Sequence, residues 1–195
     1  MAGAANLRFA NLHDVELCTH AATGERRAFG ELVRRHGSAV RGLLRRMGAQ
    51  SAEADDVAQD AFLVAFERIA EFRGEGTFAG WVKRIAARTY LRRLQKERRL
   101  GALAAEQAEE EPETPLAGHP DAAIDLDGAL KTLGATERLC VSMCFGAGLS
   151  HAEAAEALNL PLGTVKSHVK RGLEKLRARL APGSGSALEG RRGNG

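Results

Sequence analysis

Long apolar runs are missing from this 195-residue chain. None approaches the roughly 18 residues that a membrane-crossing helix needs, and the opening MAGAANLRFANLHD lacks a charged-then-apolar leader pattern. A cytoplasmic protein without membrane insertion is expected. Aromatic residues are scarce, at 5%, and sustained two-residue alternation is absent, so strands are not expected. Cysteine is limited to Cys18, Cys140 and Cys144, an odd number that argues against a disulfide framework and for reduced thiols. Cys140 and Cys144 lie four apart with His151 beyond, a spacing open to a metal or redox site. Free cysteine buries readily, however, and small core side chains beside Leu139 and Val141 are the expected role. The six histidines are scattered, no glycine motif follows a strand, and no nucleophile has a convincing partner. An enzyme, a cofactor and a metal site are therefore not expected.

What the chain does have is 44% apolar residues, enough for one large or two small domains, and a segregated charge. Residues 26–99 carry 17 basic and 9 acidic side chains, residues 100–127 carry 8 acids and no base, and residues 128–181 carry 8 bases and 4 acids. Two basic blocks around an acidic one point to two nucleic-acid-facing helical domains joined by an acidic strap. The strap, over 100–124, includes AEQAEEEPETPLAGHPD, with three prolines and an acid cluster, and reads as a flexible linker. A short helix is expected over 12–22 within an N-terminal segment 1–24, and a long one from Glu25 to about Met47, on which Phe29, Leu32, Val33, Val40, Leu43 and Leu44 form an apolar stripe. Arg34, Arg35, Arg41, Arg45 and Arg46 cover much of its other surface, where solubilisation is one reading.

The stretch from Asp55 to Arg99 combines an acidic helix face, a glycine-broken loop and a basic helix. On the first helix, with Ser51 as N-cap, Asp56, Gln59, Asp60, Leu63 and Glu67 share one side and Ala58, Phe62, Ala65, Phe66 and Ile69 the other. Acids near a helix start also favour the dipole, so helix-start chemistry stands beside a docking stripe of Asp56, Gln59, Asp60 and Leu63 for a basic partner. Arg73-Gly74-Glu75-Gly76-Thr77 breaks the helix, and Thr77 caps the next one. There Phe78, Trp81, Ile85, Leu91 and Leu94 form the apolar side, and Lys83, Arg92, Arg93 and Lys96 the opposite one. From Lys83 to Arg99 the only acid is Glu97, a bias suited to phosphate.

Farther on, Leu126, Leu130 and Leu133 suggest one helix, and Thr136 caps a second carrying Leu139, Val141, Cys144 and Phe145. Ser150 and Glu153 form a capping box for a short third helix. After Asn159-Leu160-Pro161, a last helix turns Val165, Val169, Leu173, Leu176 and Leu180 inward and leaves Thr164, Lys166, Ser167, Lys170 and Arg171 outside. A short helix, a tight turn and a basic helix make a helix-turn-helix pattern. The tail 182–195, rich in glycine and serine, is expected to be mobile.

ADDVAQDAF at 54–62, FRGE at 72–75 and FAGWVKRIA at 78–86 resemble region 2 of the extracytoplasmic-function group of bacterial RNA polymerase sigma factors. SHAEAAEAL at 150–158 with GTVKS at 163–167 is similar to region 4 of the same group. The resemblance implies an all-α protein, with region 2 over 25–99 and region 4 over 125–181, that directs promoter binding, minus-10 melting and transcription initiation. It implies that Asp55, Asp56, Gln59, Asp60, Phe62 and Leu63 meet core polymerase. Arg73, Gly74, Glu75, Lys83, Arg84, Arg88, Arg92, Arg93 and Lys96 would meet minus-10 DNA, and Thr164, Lys166, Ser167, Lys170 and Arg171 the minus-35 duplex. It also implies an anti-sigma factor as partner, a monomer when free, and a linker threaded through polymerase. Arg88 and Arg92 stand where the group often has Asn and Asp, and Pro161 and His168 where it has Ser and Arg. A sigma-like decoy for an anti-sigma factor and a stand-alone helix-turn-helix regulator are the alternatives; the latter leaves the 54–62 motif unexplained.

Overall fold

The computed structural model describes residues 9–105 and 126–180, and among them every regular element is helical. Most of the acidic linker, with Glu109, Glu110, Glu111 and Glu113, lies outside the described residues, as do residues 1–8 and the tail. Helices α1 (Asp14–Ala22), α2 (Arg26–Met47), α3 (Ser51–Glu67) and α4 (Phe78–Ala105) form the first group, with a 3-10 turn at Ile69–Glu71. Helices α5 (Leu126–Lys131), α6 (Ala135–Val141), α7 (His151–Leu158) and α8 (Leu162–Leu180) form the second, with a π-helical turn at Ser142–Gly146. Among the described residues no helix is long and apolar enough to cross a membrane.

Local chemistry sets the helix ends, in two places one or two residues from expectation. The cap of α3 is Gln50 rather than Ser51, because Glu53 reaches back to accept the Gln50 N–H at 3.3 Å. Likewise Glu137 accepts the Gly134 N–H at 3.3 Å, so α6 starts after Gly134 and Thr136 lies inside its first turn. Thr77 and Ser150 cap α4 and α7 as expected, their hydroxyls accepting the N–H groups of Gly80 at 3.0 Å and Glu153 at 3.2 Å. Helix α4 continues to Ala105, beyond the expected linker start at residue 100. Its deepest residues are Phe78, Val82, Ala86, Ala87, Tyr90 and Leu91, while Trp81, Ile85 and Leu94 are only half-buried. The small alanines let α4 lie close to its neighbours, which shifts the buried seam by one residue from the line of large apolar side chains.

The two groups share one apolar cluster, in which Leu43 and Leu44 of α2 join Cys140, Met143, Leu149, Ala154, Val165 and Val169. At Gly146 an added Cβ would lie 2.6 Å from Leu43 Cδ1, so the π turn passes close to α2 and a side chain there would have to displace the end of Leu43. The Ser142 hydroxyl donates to the Arg46 carbonyl at 3.3 Å, and Arg46 pairs with Asp127 at 2.8 Å. Phe145, expected on the apolar side, is 66% exposed; it sits on the π turn, whose wider winding buries Met143 in its place. A smaller cluster of Ala129, Leu130, Leu133, Val141 and Leu176 ties α5 and α6 to α8.

Arg35 does more than solubilise α2. Its guanidinium donates to the carbonyls of Phe9, Ala10 and Leu12 and to the Asp14 carboxylate, fastening the residues before α1. Cys18 and Cys140 are core residues, and burial pushes their thiols up to about 12 and about 11. They stay protonated and act in packing.

Candidate nucleic-acid interface

Three surfaces carry the residues singled out by sequence. The first is a groove of about 700 Å³ between α2 and α3, floored by Ala58, Phe62 and Phe66 and edged by Asp55, Gln59 and Leu63. Leu63 is 55% exposed at the groove edge, whereas Phe62 is buried and supplies only the floor. Arg41 faces Asp55 across it at 3.5 Å. Asp56 and Asp60 are exposed on α3 but outside the groove lining, so the expected stripe is divided between a groove edge and an outer acidic edge.

The second surface joins the 73–77 loop to the flank of α4. Gly74 and Gly76 take φ of 74° and 86°, values that L side chains rarely adopt, which is why two glycines fall in three residues. Beneath the loop is an aromatic stack. Phe72 meets Phe78 and Trp81 with ring centres 5.9 and 5.5 Å apart, and Phe78 meets Phe29 at 6.4 Å and His36 at 5.5 Å. Phe78, 1% exposed, belongs to this floor and has no face left for a base. Along α4, Arg84, Arg88, Arg92 and Lys96 recur every fourth residue on one flank.

Much of that flank is met by α7 and the turn before it. Arg84 donates to the Gly148 carbonyl at 2.9 Å, Arg88 pairs with Glu153 at 3.6 Å, and Gln95 donates to the Ala157 carbonyl at 3.2 Å. A cleft of about 770 Å³ remains between α4 and α7, lined by Arg88, Arg92, Arg98 and Arg99 on one side and Glu153, Glu156 and Asn159 on the other. Glu153 is held below the usual carboxylate range, first by the Ser150 N–H and hydroxyl and then by Arg84 and Arg88. Arg93 turns instead toward Glu97 and α3, at 3.2 Å from Glu97 and 3.8 Å from Glu53. Lys83 is half-buried, and Arg73 and Glu75 are exposed in the loop. The nine expected residues therefore do not make one continuous track.

The third surface is the outer face of α8. Val165 and Val169 are buried, while Thr164, Ser167, Lys170 and Arg171 line a shallow groove of about 720 Å³ that starts at Pro161. Lys166 is exposed outside that lining. Asn159, at φ of 53°, makes the tight turn that sets α7 against α8. Small polar residues at a helix start with cations one turn on suit a major groove, where base edges are read and phosphates gripped beside them.

Residues 32–100 match the family profile described as sigma-70 region 2, and residues 129–178 the one described as sigma-70 region 4. The RNA polymerase sigma factor NccH of Alcaligenes xylosoxydans is 33% identical over 176 residues, covering 86% of this chain and 94% of NccH. The ECF RNA polymerase sigma factor SigE of Mycolicibacterium smegmatis is 32% identical over 180 residues, covering 86% of this chain and 68% of SigE. This chain belongs to the ECF RNA polymerase sigma factors. The solved structure of CnrH in complex with the cytosolic domain of CnrY is 30% identical, with a TM-score of 0.51 over 86% of this chain and 96% of CnrH.

For this sigma factor, the structure adds neighbours to each of the three surfaces on which the expected residues lie. Phe29 and Arg41 enter the first groove from α2, and Gln95 is an uncharged member of the α4 flank, whose cleft Arg98 and Arg99 of the expected basic run complete. Glu137 lies 3.9 Å from Arg171 and is joined to Lys175 at 2.7 Å. Helical periodicity could have offered Gln95 and Lys175, which sit one turn from named residues; Glu137 comes from another helix and has no local signal.

Proposed function

We propose that this sigma factor docks on core polymerase through the α2–α3 groove and the acids beside it, holds the opened minus-10 strand with the 73–77 loop and α4, and reads the minus-35 duplex with α8. In this reading region 2 spans 25–99, the linker 100–124 and region 4 125–181. The observation that carries it is the outward face of α8: Thr164, Ser167, Lys170 and Arg171 border one groove while Val165 and Val169 anchor the same helix in the core. Strand opening costs a few kcal/mol per unstacked step, and the α4 arginines offset this by gripping the phosphates of the released strand. The aromatic floor keeps the loop rigid enough to receive an extruded base. Arg88 and Arg92 favour backbone grip over base discrimination. A protein antagonist belongs to this reading too. CnrH is solved with the cytosolic domain of CnrY, and in this chain the apolar groove rimmed by Leu63 is where an antagonist would compete with polymerase.

Runoff transcription with purified core polymerase, on templates selected from a randomised promoter pool, tests the reading. Promoter-dependent product is expected, and its absence would leave the decoy. Asp56→Arg with Asp60→Arg is expected to abolish capture of core polymerase, since losing a charge-pair partner costs about 2–5 kcal/mol where the pair is buried. Unchanged capture would remove those acids from the docking surface.

A further inference from the structure

We infer that Glu137 is a positioning residue for minus-35 binding, holding Lys175 and Arg171 of α8 as a phosphate clamp. This rests on the assignment of α8 to the minus-35 duplex. Glu137 is 8% exposed and lies at the start of α6, behind the DNA-facing helix. Oε2 accepts from Lys175 Nζ at 2.7 Å and from the Gly134 N–H at 3.3 Å, and Oε1 lies 3.9 Å from Arg171 Nε. Lys175 and Arg171 are one turn apart, and their side chains stay 53% and 56% exposed. The carboxylate thus holds one edge of each cation and leaves the rest to solvent, beside the groove lined by Ser167 and Lys170. Arg171 is steadied further by its Nη2, 3.2 Å from His168 Nδ1.

Capping alone does not account for this arrangement. A glutamate three residues into a helix needs only the Gly134 N–H, yet this one is aimed at two cations of another helix. The close approach at Gly172, where an added Cβ would lie 2.7 Å from Val141 Cγ2, brings α6 near enough for that reach. Nor does attraction account for it, because a buried negative charge beneath two cations weakens their pull on phosphate. What it supplies is restraint: long cationic side chains lose rotamer freedom when they grip a phosphate, and holding them beforehand reduces that loss.

The test uses holoenzyme assembled from the full chain and core polymerase. Its ligands are a labelled minus-35 duplex selected from a random pool and a scrambled duplex, each over a salt series. Glu137→Gln keeps an oxygen for Gly134 and removes one negative charge, so attraction alone makes both duplexes bind more tightly. Positioning instead makes both duplexes bind more weakly, the selected one by about five- to tenfold, because a phosphate grip is shared by all sequences. Lys175→Met is expected to flatten the slope of log affinity against log salt by about one. Equal or tighter binding of the selected duplex by Glu137→Gln, or an unaltered slope for Lys175→Met, overturns the inference. If Glu137→Gln unfolds region 4, Glu137→Asp replaces it: the shorter carboxylate keeps the charge, draws back from Lys175 and is expected to weaken the selected duplex, and parental affinity overturns the inference. Lys170→Ala separates the two levels. If it too leaves affinity unchanged, the assignment of α8 fails and takes the clamp with it; if it weakens binding while Glu137→Gln does not, the clamp alone fails.

Discussion

Glu31 sits on α2 among arginines, 6% exposed, with Arg34 and Arg35 donating to both of its oxygens at 2.7–2.8 Å. Those hydrogen bonds, Arg34's first, hold its carboxyl down to about 2 against an ordinary 4.5. A carboxyl lowered on folding stabilises the fold fully above its unfolded value, and the stabilisation disappears as pH falls through the folded one. Glu31→Gln should therefore cost about 1.5–3 kcal/mol near neutral pH, the scale of a charged hydrogen bond lost from a buried site. The gap between parent and variant in urea midpoint should stay level down to about pH 5 and close between 4.5 and 2. A gap unchanged to pH 2 would assign the effect to packing. Of the residues involved, the wheel gave the exposed acids of α3 and the outward Leu63. It could not give Arg35's role, because the partners of that guanidinium, Phe9 to Asp14, come from 21 to 26 residues earlier in the chain.

The start of α7, with its Ser150–Glu153 capping box, was legible, and those of α3 and α6 to within one or two residues; the π turn at 142–146 was not. Its sequence, SMCFG, carries no local signal, and the turn lies where Gly146 packs against Leu43 of another helix. The α6–α8 crossing at Gly172 is similarly a matter of approach between helices. Gly172→Ala should destabilise the second helical group by about 1–3 kcal/mol, as overpacking does, seen as a lower melting midpoint; an unchanged or raised midpoint would mean that Val141 yields without strain. On α4 the element acts through its flank of arginines. Arg88→Ala with Arg92→Ala should retain minus-35 binding and lose permanganate reactivity of the minus-10 thymines in the open complex. Full reactivity would move strand capture off this helix.

At the scale of the molecule, sequence gave two helical domains but not their contact, since no periodicity states which exposed stripe meets which. The shared cluster is expected to make the two groups melt together. Leu43→Ala, on α2, should cost about 2–5 kcal/mol, as large-to-small core changes do, and should lower protection against amide exchange in α6 as well as in α2. Loss of protection confined to α2 would mean that the groups unfold separately.

The polar contacts between α4 and α7 also bear on binding equilibria. A strand reaching Arg84, Arg88 and Gln95 competes for them with Gly148, Glu153 and Ala157 of α7 and the turn before it. In the proposed role, strand binding along that flank draws on molecules in which α7 has moved away, and its apparent affinity is the intrinsic one multiplied by their fraction. Were about one molecule in a hundred open, binding would be about a hundredfold weaker than the arginines alone allow. Whatever keeps the two groups apart restores that factor without touching DNA, and by reciprocity a bound strand favours the parted form to the same extent.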